Sequence, residues 1–268
     1  MRRAGVLGSP IAHSLSPALH RAAYSALRLD WAYDAYEVDE AGLPEFFAEL
    51  DERWAGLSLT MPLKSAVIPL LDTVDEVAGL ITSVNTVLPG KGGWRGTNTD
   101  VFGIVRSLTC RGVSAPRQAT VLGAGATARS AIAALAELSV REVMIVARRP
   151  EAADELLRLA SQFGLTGRSE SFEPNADLLR CDVVISTLPG SAAGPWAACA
   201  IDAPGMLLDA SYHPWPTPLA AAGPSDRVAS GRDMLLWQAV RQVELMTGQS
   251  APVEAMAAAL PPLSTGTG

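Results

Sequence analysis

The chain has 268 residues, 49% of them apolar and 18% charged, and a formal net charge of −7. That length suits one large domain or two of ordinary size, and that apolar content excludes global disorder. An excess of acidic over basic residues (28 against 21) argues against a broad nucleic-acid surface.

Gly5-Val6-Leu7-Gly8 reads as a short strand, and His13-Ser14-Leu15-Ser16-Pro17 opens a helix running to about Arg28. Trp31–Val38 alternates as a strand, Leu43–Trp54 has helical spacing, and Gly56–Thr60 is a strand again. Helices are expected over Lys64–Leu71 and Glu76–Leu80, followed by a hairpin of Val84–Leu88 with Gly93–Gly96 around Pro89-Gly90-Lys91-Gly92. Asp100 begins a helix to about Cys110. Further strands fall on Asp182–Ser186 and Met206–Ala210, and a long helix on Asp233–Thr247 closes at Gly248. Strands alternating with helices predict an α/β fold with parallel sheets. The tail Ser264–Gly268 lacks apolar residues and is expected to fray.

Cys110, Cys181 and Cys199 are odd in number and lack Cys-x-x-Cys spacing, and the three histidines are scattered. A disulfide framework and a metal site are disfavoured, which suits a reducing compartment. The start, Met1-Arg2-Arg3 and a short apolar run broken by Gly8 and Pro10, is too short for a secretory signal. No apolar run approaches the roughly 20 residues that span a bilayer. The expectation is a cytoplasmic protein without a membrane partner.

The most informative stretch runs from Gln118 to Leu122, through Gly123-Ala124-Gly125-Ala126-Thr127-Ala128, into Arg129–Glu137. A buried strand, a glycine turn and a helix in that order form a dinucleotide-binding fingerprint. The glycines allow close backbone approach, the helix N-terminus faces a pyrophosphate, and small Ala128 allows tight helix–strand packing. The next apolar run, Val143–Ala147, ends at Arg148-Arg149. An acidic residue there would hold the NAD ribose, whereas guanidinium groups suit a 2′-phosphate and hence NADP(H). The alternative is a solvated charged turn before Pro150, and nearby Glu151 leaves room for NAD.

Taken singly, the remaining motifs are ambiguous. Ser16 with Pro17 is a helix start or, with Ser14, a seat for a small carboxylate. Lys64 is a surface lysine or a proton donor, and Asp100 a helix cap or its partner. Asn85 is a turn residue or a ligand, and Gln238 a surface residue of a helix or a ligand. Tyr212 fills a seam or binds a carboxylate.

Taken together they are specific. Ser14 and Ser16, Gly56-Leu-Ser58-Leu-Thr60-Met-Pro62-Leu-Lys64, Val84-Asn85-Thr86-Val87 and Gly96-Thr-Asn-Thr-Asp100 resemble the shikimate dehydrogenase family in order and spacing. The likeness continues through Gly123–Ala128, Ser186-Thr187-Leu188-Pro189, Asp209–Leu219 and Gly231-Arg-Asp-Met234-Leu-Leu-Trp-Gln238-Ala239. The resemblance implies an N-terminal α/β substrate domain, a Rossmann-like NADP-binding domain, and a C-terminal helix returning to the first. Domain limits follow as 1–100 plus 232–268, and 101–231.

It also implies reversible NADPH-dependent reduction of 3-dehydroshikimate to shikimate, toward chorismate and the aromatic amino acids. By resemblance, the catalytic residues fall on Lys64 and Asp100. Substrate positions fall on Ser14, Ser16, Thr60, Asn85, Asp100 and Gln238, with Tyr212 nearby. Cofactor positions fall on Gly123–Ala128, Arg148, Arg149, Thr187, Leu188, Gly231 and Met234. Partners are shikimate or 3-dehydroshikimate and NADP(H), with no nucleic acid, in a monomer or homodimer. The site is expected between the domains, with closure about the crossings near Asp100 and Gly231.

Three departures stand out. Ser58 replaces an amide at a supporting position, Ala147-Arg148-Arg149 replaces the usual Asn-Arg-Thr, and Ser186-Thr187-Leu188-Pro189 replaces the usual Asn-Ala-Thr-Pro. The rival readings are a quinate/shikimate dehydrogenase using NAD and a noncatalytic NADP-binding regulator.

Overall fold

The computed structural model describes residues 1–261, and the chain divides into two compact units. Residues 1–100 and 238–261 make the first, and 101–237 the second. The expected frayed tail lies outside the described residues.

The first unit is built in chain order from β1 (Arg2–Gly8), α1 (Ser16–Ala26), β2 (Trp31–Glu37), α2 (Leu43–Ala48), β3 (Trp54–Leu59), α3 (Leu63–Ala66), β4 (Thr73–Val74), α4 (Glu76–Leu80), β5 (Thr86–Gly90) and β6 (Gly93–Thr97). Its sheet has the order β2-β1-β3-β5-β6-β4. β1 runs parallel to β2 and β3, but β5 is antiparallel to both β3 and β6. The expectation of parallel sheets therefore fails here, because the tight β5–β6 hairpin reverses the chain without a crossover helix. Leu7, Leu57, Leu59, Leu63 and Val87 pack together in its core.

Two expected helices are shorter than their spacing suggested. Leu43–Trp54 is helical only to Ala48, and Trp54 opens β3. Trp54 is buried against Tyr36 and Phe46, so ring packing decided its place. Lys64–Leu71 divides into α3 and a 3₁₀ turn over Ile68–Leu70, because Pro69 has no N–H to continue the α ladder.

The second unit continues with α5 (Asp100–Thr109, its first residue in the first unit), β7 (Gln118–Leu122), α6 (Ala126–Glu137), β8 (Glu142–Ala147), α7 (Pro150–Gln162), β9 (Thr166–Ser171), β10 (Val183–Ser186), α8 (Ala197–Ala200), β11 (Met206–Asp209), α9 (Pro218–Ala222), β12 (Val228–Ser230) and α10 (Gly231–Thr247). Helix α10 supplies residues to both units, and α11 (Val253–Ala258) belongs to the first. The second sheet has the order β12-β11-β10-β7-β8-β9 and is parallel throughout. That is the doubly wound dinucleotide-binding order, with its reversal between β7 and β10. Ala128, Ala131 and Ala134 are fully buried on α6, and their small size brings the helix close to the sheet. The edge strand β9 (TGRSES) is exposed along its whole length and carries no apolar signal.

Candidate active site

In the first unit, β3 ends at Leu59, and Thr60 follows with its amide bonded to the Leu7 carbonyl at 2.9 Å. The chain turns through Pro62 into α3, whose second residue is Lys64. The Lys64 carbonyl accepts from the Val84 amide at 2.7 Å, and the Asn85 carbonyl accepts from the Leu59 amide at 2.8 Å. These bonds bring Lys64 and Asn85 together at one end of the sheet.

Asp100 arrives from β6 at the start of α5. Its amide donates to Asn98 Oδ1 at 2.9 Å, a local turn that leads into α5. The Asp100 carboxylate bonds to two side chains from other segments. Lys64 Nζ donates to Oδ2 at 2.6 Å, and Asn85 Nδ2 donates to Oδ1 at 2.8 Å. The lysine side chain is 14% exposed and the aspartate 6%. Removing such a pair from water is costly, and the Asn85 amide offsets part of that cost by satisfying the second oxygen.

Gln238, from α10, brings Oε1 to 3.5 Å from Asn85 Nδ2. Thr99 adds its amide to Asn85 Oδ1 at 2.7 Å and its hydroxyl as an acceptor from Nδ2 at 3.0 Å. Lys64, Asn85, Asp100 and Gln238 are thus drawn into one polar group from segments up to 174 positions apart in number.

Ser16 does not cap α1. Leu15 is the cap residue, Ser16 is the first helical residue, and Pro17 follows it. Ser16 is buried, and its amide donates to Ser14 Oγ at 3.4 Å. Tyr33 donates to Ser58 Oγ at 2.7 Å, which places Ser58 at a supporting position. Among the described residues, the bonds of Ser14 and Thr60 lead elsewhere than to the Lys64 group, though Thr60 adjoins the Leu59 amide that holds Asn85.

Sequence reasoning passed over Gln242, His20 and Thr86. Gln242 is 1% exposed and bonds to Ser58, His20, Thr86 and the Asn85 carbonyl. One signal was available: Gln238 and Gln242 are four apart on α10, so they share a helix face. His20 is stacked on Tyr33 at 4.0 Å, and burial pushes its pKa down to about 3 against the opposing Gln242 hydrogen bond.

The second unit carries a separate cleft of about 570 Å³ at the carboxyl edge of its sheet. Gly123, Ala124 and Gly125 line it after β7, Arg148 and Arg149 after β8, and Thr187 and Leu188 after β10. This is the strand-order reversal, where open α/β sheets hold ligands. Gly123 has φ +107°, and a Cβ there would sit 2.5 Å from Thr187 Oγ1, so only glycine suits the turn. A Cβ on Gly125 would meet nothing within 4 Å, which leaves open space before the α6 amides. That opening fits a pyrophosphate.

Ala126, Thr127 and Ala128 form the first turn of α6, with Ala128 buried. Arg148 and Arg149 are exposed, and Arg149 caps α7 by position rather than by a side-chain bond. Glu151 lies inside α7 and is not among the residues lining the cleft, whereas Ala152 and Phe172 line it without having been anticipated.

Gly231 and Met234 also lie outside its lining. Both are buried at the start of α10, where a Cβ on Gly231 would collide with the backbone of Ala210 and Ser211. Tyr212 belongs to the second unit and is half-buried, which pushes its phenol pKa upward. Before it, Asp209 accepts from Thr217 Oγ1 at 2.5 Å and from the Ser211 amide at 3.2 Å, tying both ends of the Tyr212 loop.

Two family models match the chain, the shikimate dehydrogenase substrate binding domain at residues 6–87 and the shikimate 5′-dehydrogenase C-terminal domain at residues 231–260. The shikimate dehydrogenase (NADP(+)) of Desulfitobacterium hafniense (strain Y51) is 34% identical over 262 residues, which cover 95% of this chain and 96% of that protein. The crystal structure of Mycobacterium tuberculosis shikimate dehydrogenase is 44% identical with a TM-score of 0.91, covering 97% of this chain and 100% of that one. Shikimate 5-dehydrogenase from Thermus thermophilus, solved in complex with NADP(H) and shikimate, is 32% identical with a TM-score of 0.81, covering 97% and 98%. Identity at this level over nearly the full length of its relatives means that the chain belongs to the shikimate dehydrogenase family.

Proposed function

We propose that this chain is an NADP-dependent shikimate dehydrogenase that reversibly reduces the ketone of 3-dehydroshikimate to the alcohol of shikimate. The observation that carries the reading is the Lys64–Asp100–Asn85 group, in a chain of that family.

Reducing a ketone builds negative charge on its oxygen, and a positioned acid must neutralise it. Lys64, as an ammonium, donates that proton. In the oxidation direction its neutral amine takes the hydroxyl proton. Asp100 holds Lys64 through Oδ2 and receives an adjacent substrate hydroxyl. Asn85, Thr60 and Gln238 receive the other ring hydroxyls. Ser14 and Ser16, at the start of α1, receive the carboxylate with two hydroxyls and the helix dipole. Tyr212 supplies a further phenol toward that carboxylate.

The cofactor residues fit NADP(H), whose nicotinamide supplies or takes the hydride. Gly123–Ala128 hold the pyrophosphate on backbone amides, and Arg148 and Arg149 hold the 2′-phosphate. Thr187, Leu188, Gly231 and Met234 bound the nicotinamide end. Residues 1–100 with 232–268 act as the substrate domain and 101–231 as the cofactor domain. The same reading expects a cytoplasmic enzyme, monomeric or homodimeric, with small-molecule partners. Among the described residues no helix is long and apolar enough to cross a membrane.

The test is an absorbance assay of shikimate oxidation with NADP⁺, run beside NAD⁺ and quinate. The reading expects the highest kcat/KM with shikimate and NADP⁺. Preference for NAD⁺ with quinate turnover would favour the broader enzyme, and no turnover with any pair would reject the assignment.

A further inference from the structure

We propose that Gln242 is a positioning residue for the reaction, setting the Asn85 amide that holds Asp100. The inference rests on the dehydrogenase reading above and extends it to a residue that touches neither ligand nor the Lys64–Asp100 pair.

A backbone carbonyl oxygen can only accept a hydrogen bond. The Asn85 carbonyl lies 3.2 Å from the Gln242 side-chain amide, so the Gln242 nitrogen must face it. That orientation sends the second N–H of Nε2 to Thr86 Oγ1 at 2.9 Å. It leaves Oε1 to accept from Ser58 Oγ at 2.8 Å and from His20 Nε2 at 3.2 Å. Ser58 is free to donate because it accepts from Tyr33 Oη. With its hydroxyl oxygen occupied by Gln242, Thr86 donates its own hydrogen to Asn85 Oδ1 at 2.8 Å.

Thr86 and the Thr99 amide thus both donate to the Asn85 oxygen, and the Asn85 NH₂ is turned toward Asp100. Donors and acceptors run in one direction from Tyr33 to Asp100, through groups that are all nearly or fully buried. Burial matters because none of these groups can exchange a lost partner for water. Gln242 is the junction, since it holds Asn85 by its backbone and, through Thr86, by its side chain. The same face of α10 therefore carries Gln238 beside the substrate positions and Gln242 behind them.

The experiment compares Gln242→Met, Thr86→Val and the double variant with the wild type in shikimate oxidation. Each single variant is expected to lose at least 10-fold in kcat with shikimate, because sub-ångström displacement of a positioned group lowers rate steeply. The Kd for NADP⁺ stays within two-fold of wild type. The double variant falls no more than about three-fold below the worse single one, since both break the same line of bonds. A residue that only packs would lower stability and leave the kcat of the folded enzyme unchanged.

A folded Gln242→Met enzyme with kcat within two-fold of wild type overturns the proposal, and so do multiplying losses. Should Gln242→Met fail to fold, Thr86→Val alone decides, and wild-type kcat in that variant is equally fatal. A wild-type chain that does not oxidise shikimate rejects the dehydrogenase reading and this inference with it. Normal wild-type turnover with unaffected variants rejects the inference alone.

Discussion

In the first unit, the candidate site is built from buried side chains that fix one another. In the second, it is built from backbone at a glycine turn and from exposed guanidinium groups. Asp100 bonds both Lys64 and Asn85, and Asn85 and Asp100 are buried. The second unit's cleft is open and is bounded by Gly123–Gly125 and two arginines on the surface. Chemistry on a ketone needs one proton delivered to one atom, which demands fixed side chains. Holding phosphates needs only charge and N–H groups, which tolerate solvent. Substitution of Lys64 or Asp100 in the first unit should therefore cost more activity than substitution in the cleft of the second.

The largest expected effect is that of Lys64→Ala, which should lower kcat by about 10³-fold or more with NADP⁺ affinity nearly unchanged. Steady-state kinetics with cofactor titration checks it, and retained turnover would break the contrast between the units. Asp100→Asn should follow, with a loss of about 10²-fold or more in kcat/KM for shikimate, because the ammonium loses its partner.

In the second unit, Arg148→Ala and Arg149→Ala together should raise KM for NADP⁺ by about 10- to 100-fold, the range for a lost charge-assisted contact. Kinetics with NAD⁺ should not move, and added salt should narrow the difference between wild type and variant. Gly123→Ala tests the backbone instead. Forcing a side chain onto φ +107° beside Thr187 should cost about 1–3 kcal/mol of stability, read by urea unfolding.

The smallest effect at neutral pH concerns the support beneath the first site. His20 stays neutral in the native state down to about pH 3 but takes a proton below about 6.5 once unfolded. The unfolded state then binds more protons, so the His20 contribution is full above pH 6.5 and is lost as pH falls toward 3. Its share of the slope is about 1.4 kcal/mol per pH unit within that window. His20→Gln should flatten the curve of stability against pH there, whatever its offset. An unchanged slope would mean that His20 is not held neutral.

Elements with strong local signatures were legible. The Gly123–Ala128 turn, the β5–β6 hairpin and α10 carry their period or their turn residues within a few positions of one another. Elements without such a signature were not. β9 is polar throughout, and α2 ended early because Trp54 packs with Tyr36 and Phe46 rather than continuing a helical stripe. Lys64, Asn85, Asp100 and Gln238 were reached through the combined motifs. Their common dependence on Gln242 was not, since Gln242 has no turn or charge signature and spacing from Gln238 was its sole mark.

The amino-acid sequence by itself determined the family, the cofactor turn and the residue types available for proton transfer, because each is carried by short contiguous patterns. Only the tertiary structure decided that β5 pairs antiparallel with β3, that the Asn98 side chain takes the Asp100 amide, and that Gln242 reaches Asn85 across 157 positions. Hydrogen-bond direction depends on which donors and acceptors are buried together, and that is settled when distant segments pack, not along any one of them.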